Sequence, residues 1–467
     1  MKRNLIMGAG GTLILPVILA VAIAACSAPP SGPASGVHDP GVRGGDPGAG
    51  GPLSGLSADE ATFFQDGMNR FLEIEGVADG LGPRFNSNQC ASCHMQPRIG
   101  GSSPSKNPMV AVATLDGAKN ILPWFITEDG PIREARFKLN ASSTPDGGVH
   151  ALFTITGRSD APTCVIAQPD FLPAGDPHTG KGGNPNIVFR IPTPVFGDGL
   201  IEAIPDAEII ANMRANTAEK EQWGIRGHAN AHISGTSNTS ANDGTITRFG
   251  WKAQNKSLLL FSAEAYNVEM GVTNILFPQE REDTAGCVTN STPEDAGNFS
   301  AKENTGVLSD IEGFAIFMRL LAPPVPAPDS PSTVRGRALF VSTGCASCHT
   351  PSMMTGPRIS SGSSTVPSAA LSAKPVNLYS DLLVHNMGEG LSDGITQGAA
   401  GPDEFRTAPL WGVGQRIFFL HDGRTTDIVQ AVEAHASRGS EANQIIDRFN
   451  KLSAAEQQDI IDFLRSL

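Results

Sequence analysis

Apolar residues recur at helical spacing behind a polar cap in three stretches of the chain. Ser57-Ala58-Asp59-Glu60, Ser309-Asp310-Ile311-Glu312 and Ser453-Ala454-Ala455-Glu456 each set a serine three residues ahead of a glutamate, so that hydroxyl and carboxylate can cap backbone N–H groups reciprocally. Phe314, Phe317, Met318 and Leu321 follow the second cap until Pro323-Pro324 ends the run; Ile460, Ile461, Phe463, Leu464 and Leu467 follow the third. The first cap opens a helix carrying Gly67 and Phe71, a pair that returns as Gly336 and Phe340. One module of helix, short motif and closing helix is thus predicted to occur twice. Between the copies, residues 109–115, 150–157 and 187–192 read as short strands, bounded by turn-forming residues. A further helix is expected over residues 427–434.

The front of the chain is patterned differently. Lys2 and Arg3 precede an apolar run over residues 5–25, broken by Gly8, Gly10, Gly11 and Pro16 and closed by Ile23-Ala24-Ala25-Cys26. The interruptions argue for a secretory leader over residues 1–25 rather than a membrane span. The closing string resembles a bacterial lipobox, which makes Cys26 the lipidated first residue of a periplasmic or cell-surface protein. Residues 26–55 are almost wholly Gly, Pro, Ser, Ala and Asp, and such a stretch is expected to be a disordered tether.

The chemistry lies in Cys90-Ala91-Ser92-Cys93-His94 and its repeat Cys345-Ala346-Ser347-Cys348-His349. C-x-x-C-H is the attachment string of c-type haem, and two copies in a chain of seven cysteines predict two covalently bound haems. Each cysteine pair would form the thioethers, and His94 and His349 would be the proximal iron ligands. A zinc site would need a tetrahedral set drawn from both strings, and a redox dithiol leaves the histidines unexplained. With Cys26 lipidated, Cys164 and Cys287 remain, either as a disulfide in an oxidising compartment or as two buried thiols. The expected fold is mainly α: two cytochrome c-like haem domains over residues 56–325 and 326–467, the first with a loop-rich, partly β insertion at about 107–290, joined near the proline-rich residues 323–331.

A net charge of −13 argues against nucleic acid as a partner and suits a small basic redox protein. The sixth iron ligand separates an electron carrier from an enzyme, because a thioether saturates the metal whereas an open position admits peroxide. Met270 in Val268-Glu269-Met270-Gly271 and Met387 in His385-Asn386-Met387-Gly388 are the candidates, with His385 and His421 competing at the second centre. Tyr266 and Tyr379 are the two tyrosines open to a radical relay. His228 and His232 have the spacing of a metal pair, but their glycine and asparagine neighbours indicate a loop.

Longer strings carry a family resemblance. Gly80-Leu81-Gly82-Pro83-Arg84-Phe85-Asn86, Phe196-Gly197-Asp198-Gly199-Leu200-Ile201-Glu202-Ala203-Ile204-Pro205 and Arg248-Phe249-Gly250-Trp251-Lys252-Ala253 stand in the first half. Tyr379-Ser380-Asp381-Leu382-Leu383, His385-Asn386-Met387-Gly388, Phe405-Arg406-Thr407-Ala408-Pro409-Leu410-Trp411-Gly412 and Phe419-Leu420-His421-Asp422-Gly423-Arg424 stand in the second. Together they resemble the di-haem oxidoreductases described as peroxidases or thiol oxidoreductases, which are similar to bacterial di-haem cytochrome c peroxidases. The thiol label finds no support here, because every C-x-x-C belongs to a haem string.

The resemblance implies that electrons from a small redox protein enter at the C-terminal haem, ligated by His349 and Met387, and reach the N-terminal haem on His94. Hydrogen peroxide or another small oxidant is reduced there. It places Trp251 between the haems and makes Glu202 the candidate acid/base, with Glu264 and Glu269 as weaker ones. It also implies calcium, at residues the sequence does not identify. The alternatives are a pure electron-transfer protein with both irons six-coordinate, and a di-haem oxygenase or protein-modifying oxidase.

Overall fold

A glycine stands at each of two helix crossings that organise the molecule. The computed structural model describes residues 36–171, 185–231, 246–295, 309–362 and 366–467. Helix α1 (Ala58–Phe71) starts at the Ser57 capping box. It ends shortly before α2 (Cys90–Cys93), a single turn that holds the first cysteine pair. Next come α3 (Met109–Val112), α4 (Asp198–Glu202), α5 (Asp206–Arg214), α6 (Thr217–Gln222) and α7 (Leu258–Ala265). Then follow α8 (Asp310–Leu320), α9 (Pro331–Thr343), α10 (Ile428–Glu433), α11 (Asn443–Asn450) and α12 (Ala454–Ser466).

Helix α1 packs on α8 with Gly67 against the Gly313 carbonyl and Phe317, where a Cβ would meet backbone. Helix α9 packs on α12 with Gly336 against the Asp459 carbonyl and Phe463, under the same constraint. The phenylalanine four residues on fills each crossing: Phe71 lies 5.0 Å from Phe317 and Phe340 lies 5.4 Å from Phe463, ring centre to ring centre.

The strands are short: β1 (Arg84–Phe85), β2 (Glu134–Phe137), β3 (Val149–His150), β4 (Phe153–Thr154), β5 (Ile187–Arg190), β6 (Met353–Met354), β7 (Pro375–Val376), β8 (Val384–Asn386) and β9 (Glu404–Arg406). An antiparallel three-stranded sheet runs β3-β2-β5, with Ala135 opposite both His150 and Phe189. The expected strand over 150–157 is instead split, because the chain leaves β2 after His150 and pairs with β1 at Phe153 and Thr154. Residues 109–115, expected as a strand, begin as helix α3. The side chain of Asn107 accepts from the Met109 N–H at 3.1 Å and starts the turn that Pro108 favours.

One further expectation is corrected. Within the predicted tether, residues 36–55 have no regular secondary structure but are packed in place. Asp39 accepts from Arg465 at 2.7 and 2.5 Å and from the Ile428 N–H, and Leu53 is buried and bonded to the Leu320 carbonyl. Polar anchoring, which composition does not reveal, orders the segment. Leu371, Leu378, Leu383 and Trp411 share one hydrophobic core with Phe71, Phe85 and Phe317, while a smaller core gathers Phe340, Phe419, Phe449 and Phe463.

Cys164 and Cys287 form a disulfide that links segments 123 residues apart in the chain. The predicted leader, Cys26 and His232 lie outside the described residues. Among the described residues no helix is long and apolar enough to cross a membrane.

Candidate haem centres and the space between them

Each cysteine string caps a cavity and turns its histidine inward in the same way. In α2 the His94 N–H bonds the Cys90 carbonyl at 3.2 Å; in the tight turn Cys345–Ser347 the His349 N–H bonds the Cys345 carbonyl at 3.0 Å. His94 Nδ1 donates to the Gly101 carbonyl at 3.0 Å, and His349 Nδ1 donates to the Tyr379 carbonyl at 3.0 Å. A carbonyl can only accept, so the proton is on Nδ1 and each Nε2 keeps its lone pair. Burial holds both imidazoles neutral, His349 down to about 4. Phe71 and Phe340 flank the two rings at 6.1 and 6.3 Å. Burial pushes the Cys93 thiol up to about 11 and the Cys345 thiol up to about 12, which disfavours a reactive dithiolate.

The cavities enclose about 1150 Å³ and about 1470 Å³ of atom-free space, mouths included, which is room for a cofactor-sized ligand. Buried polar atoms support the fit. Arg406 Nη1 and Arg416 Nε are buried without a hydrogen-bond partner among the described residues, and both arginines line the second cavity. A buried guanidinium nitrogen without a partner is costly, so the pair suits the carboxylates of a haem at that edge. The neutral imidazoles, paired cysteines and apolar walls suit the macrocycle. When bound, haem supplies redox-active iron at each centre.

Across from their histidines the cavities differ. The first is lined by Glu134, Arg136, Arg190, Gln254, Tyr266 and Glu269. Glu134 and Glu269 are hydrogen-bonded to each other through their carboxyl groups. Arg136 lies 2.5 Å from Glu134 Oε1 and holds that carboxylate low; burial and the Glu134 charge push Glu269 up to about 8. Asn86 donates to Glu269 at 3.1 Å, and Tyr266 donates to Glu75 at 2.9 Å. Met270 also lines this cavity, with its sulfur 3.9 Å from Cys90 Sγ.

The second cavity is walled by Phe340, Leu410, Phe419 and Ile460, with Met387, His385, His421 and His435 at its lining. His385 is held between Asp381 Oδ2 at 2.9 Å and Glu441 Oε2 at 2.8 Å, so both ring nitrogens donate. Two carboxylates fix it as a structural cation rather than a metal ligand. His421 stacks on Phe405 at 4.3 Å and meets Trp251 edge-on at 6.4 Å.

Trp251 lines both cavities, its Nε1 donating to the Ile191 carbonyl at 2.9 Å. The Ile191 N–H in turn donates to the His421 carbonyl at 2.8 Å, which pins indole and imidazole on either side of one residue. Beside Trp251, buried Asp198 is raised to about 7 by burial, which Arg406 opposes and Glu202 slightly reinforces.

Glu202 is not where an acid/base for either cavity would stand. Its oxygens accept from Arg319 Nε at 2.6 Å and the Leu258 N–H at 2.9 Å, and it lines neither cavity. It is a buried ion-pair partner that joins α4 to α7 and α8. Glu264 likewise accepts from Asn255 and lines neither cavity. Of the three glutamates expected as acid/base candidates, Glu269 is the one at the first cavity, and its partner Glu134 was not foreseen. His228 pairs with Glu404 at 3.0 Å. Among the described residues no cluster of three or more His, Cys, Asp or Glu is placed to hold a metal ion.

The family model for di-haem oxidoreductase, putative peroxidase, matches residues 184–467, and the chain belongs to that family. No curated protein matches the chain. Three solved structures are similar in part. A hydrazine synthase of Kuenenia stuttgartiensis is 17% identical, with 34% of this chain and 56% of that one covered at a TM-score of 0.22. The diheme peroxidase BthA of Burkholderia thailandensis is 17% identical, with 47% and 65% covered at 0.28. A MauG-like protein associated with microbial copper homeostasis is 16% identical, with 64% and 94% covered at 0.30. The chain thus spans less than two thirds of the first two relatives.

Proposed function

We propose that the chain is a peroxidase-type di-haem oxidoreductase with both haems covalently attached, in two cytochrome c-like modules sharing a core. Electrons from a small redox protein enter at the Cys345–His349 centre, pass Trp251 and reach the Cys90–His94 centre, where hydrogen peroxide accepts two electrons and two protons to give two waters. The leader string and Cys26 support export and lipid anchoring. The observation that carries the assignment of the reactive side is the hydrogen-bonded pair Glu134–Glu269, which lines the first cavity and not the second.

Two carboxyl groups in one buried site share a proton, because both cannot ionise cheaply together. Arg136 biases that proton toward Glu269, leaving a neutral acid at the cavity wall. Glu269 can then donate to a departing peroxide oxygen, and Glu134 can take a proton from the other. Gln254 and Arg190 add donors at the same wall. Trp251 gives the two cavities a shared aromatic wall across which an electron can pass.

The test is anaerobic mixing of the half-reduced, di-haem protein with hydrogen peroxide while both haem spectra are followed. The proposal expects consumption of one peroxide per two electrons. It also expects that Glu269→Gln slows the reaction without changing haem content. Peroxide-inert haems in the oxidised and half-reduced protein would leave an electron-transfer protein instead.

A further inference from the structure

Ring geometry at the second cavity points to a residue that no sequence motif marks. His435 follows the end of α10, one turn beyond Ala431, whose carbonyl accepts from His435 Nδ1 at 2.7 Å. The proton is therefore on Nδ1 and Nε2 keeps its lone pair, the same state as His349 across the cavity. The ring centres of His349 and His435 are 6.5 Å apart, with their planes at 59°. Two metal–imidazole bonds of about 2 Å, plus roughly 1 Å from each nitrogen to its ring centre, span roughly 6 Å.

The other candidates fit less well. His385 spends both nitrogens on Asp381 and Glu441. His421 lies flat on Phe405. Met387 lines the cavity, but its backbone carbonyl is tied to Ser437 and its N–H to Asp403, on the segment that leads away from His385.

We propose that the haem on Cys345 and Cys348 is a bis-histidine centre held between His349 and His435, with Met387 in the cavity wall. The inference rests on the di-haem reading above. It closes both axial positions with nitrogen, which suits electron entry and sets a lower potential than a histidine–methionine pair would.

The experiment uses the full-length protein with both haems, counted first by pyridine haemochrome. Electron paramagnetic resonance and the near-infrared charge-transfer region are recorded for the wild type and for Met387→Leu, Met270→Leu, His435→Ala and His435→Met. The expected result is a low-spin centre without a thioether band, unchanged by Met387→Leu. His435→Ala makes it high-spin, and added imidazole restores it. His435→Met shifts its reduction equilibrium at least tenfold toward the reduced form, about 59 mV for one electron. A thioether band lost in Met387→Leu and kept in Met270→Leu overturns the proposal, and this arm does not depend on the His435 variants folding. Fewer than two haems per chain would instead overturn the reading on which the proposal rests.

Discussion

On the proximal side, the two centres repeat each other: a cysteine pair in one turn, a histidine with Nδ1 on a backbone carbonyl, a phenylalanine against its ring, and a glycine where the flanking helices cross. On the opposite side the likeness ends. The first cavity is lined by the carboxyl pair Glu134 and Glu269 with Arg136 and Arg190; the second, which has its own arginines in Arg406 and Arg416, has mostly apolar walls and a second neutral imidazole in His435. A shared scaffold fixes how iron would be held, and the unshared wall decides what it can do.

Four changes would break or sharpen that contrast. The largest effect is expected from removing one attachment string at a time. Cys90→Ala with Cys93→Ala should halve covalent haem and abolish peroxide turnover. Cys345→Ala with Cys348→Ala should halve haem but spare a single peroxide-dependent change at the remaining centre. Haem-stained gels and optical spectra with peroxide check both.

Next, Glu269→Gln and Glu134→Gln should each lower the peroxide rate by about 10²- to 10⁴-fold, the usual range for a general acid or base. Reduction of the second centre by an artificial donor should be unaffected. Stopped-flow rates measure each step.

The glycine crossings should behave alike, because they belong to the shared scaffold. Gly67→Ala and Gly336→Ala each force a methyl group against backbone, and each should cost about 1–3 kcal/mol in chemical denaturation. A cost at one crossing alone would show that the modules are not equivalent.

The smallest effect concerns Glu75, which accepts from Tyr266 at the first centre. Burial first, with neighbouring acids adding, raises its carboxyl to about 8 in the folded chain, above the ~4.3 of an unfolded glutamate. The folded state keeps a proton that the unfolded chain has released, so stability falls as pH rises through that interval. Glu75→Gln should flatten the fall in melting temperature between about pH 5 and about pH 8.

The scaffold was largely legible in the sequence because its signals are local. Capping serines, the C-x-x-C-H strings and the Gly67–Phe71 and Gly336–Phe340 pairs each lie within a few residues of what they build. Cys164 and Cys287 remain by elimination as a disulfide or two buried thiols, and the fold joins them. The carboxyl-lined wall of the first cavity is not legible in the same way. Glu134 sits on β2 and meets Glu269 only through the tertiary fold. Glu202 stands in a longer motif but serves an ion pair with Arg319, which spacing does not distinguish from a catalytic carboxylate. His435 carries no string of its own, and its meaning comes from the ring it faces. Residues 36–55 are ordered by a few polar anchors, above all Asp39 on Arg465, that their composition does not suggest.

The most direct test of two unlike centres is a combined optical and electron paramagnetic resonance titration of the half-reduced di-haem protein with hydrogen peroxide. The account predicts that the Cys90–His94 haem alone changes ligation and reacts, while the Cys345–His349 haem stays low-spin and gives up one electron. Equal reactivity at both haems, or at neither, would contradict it.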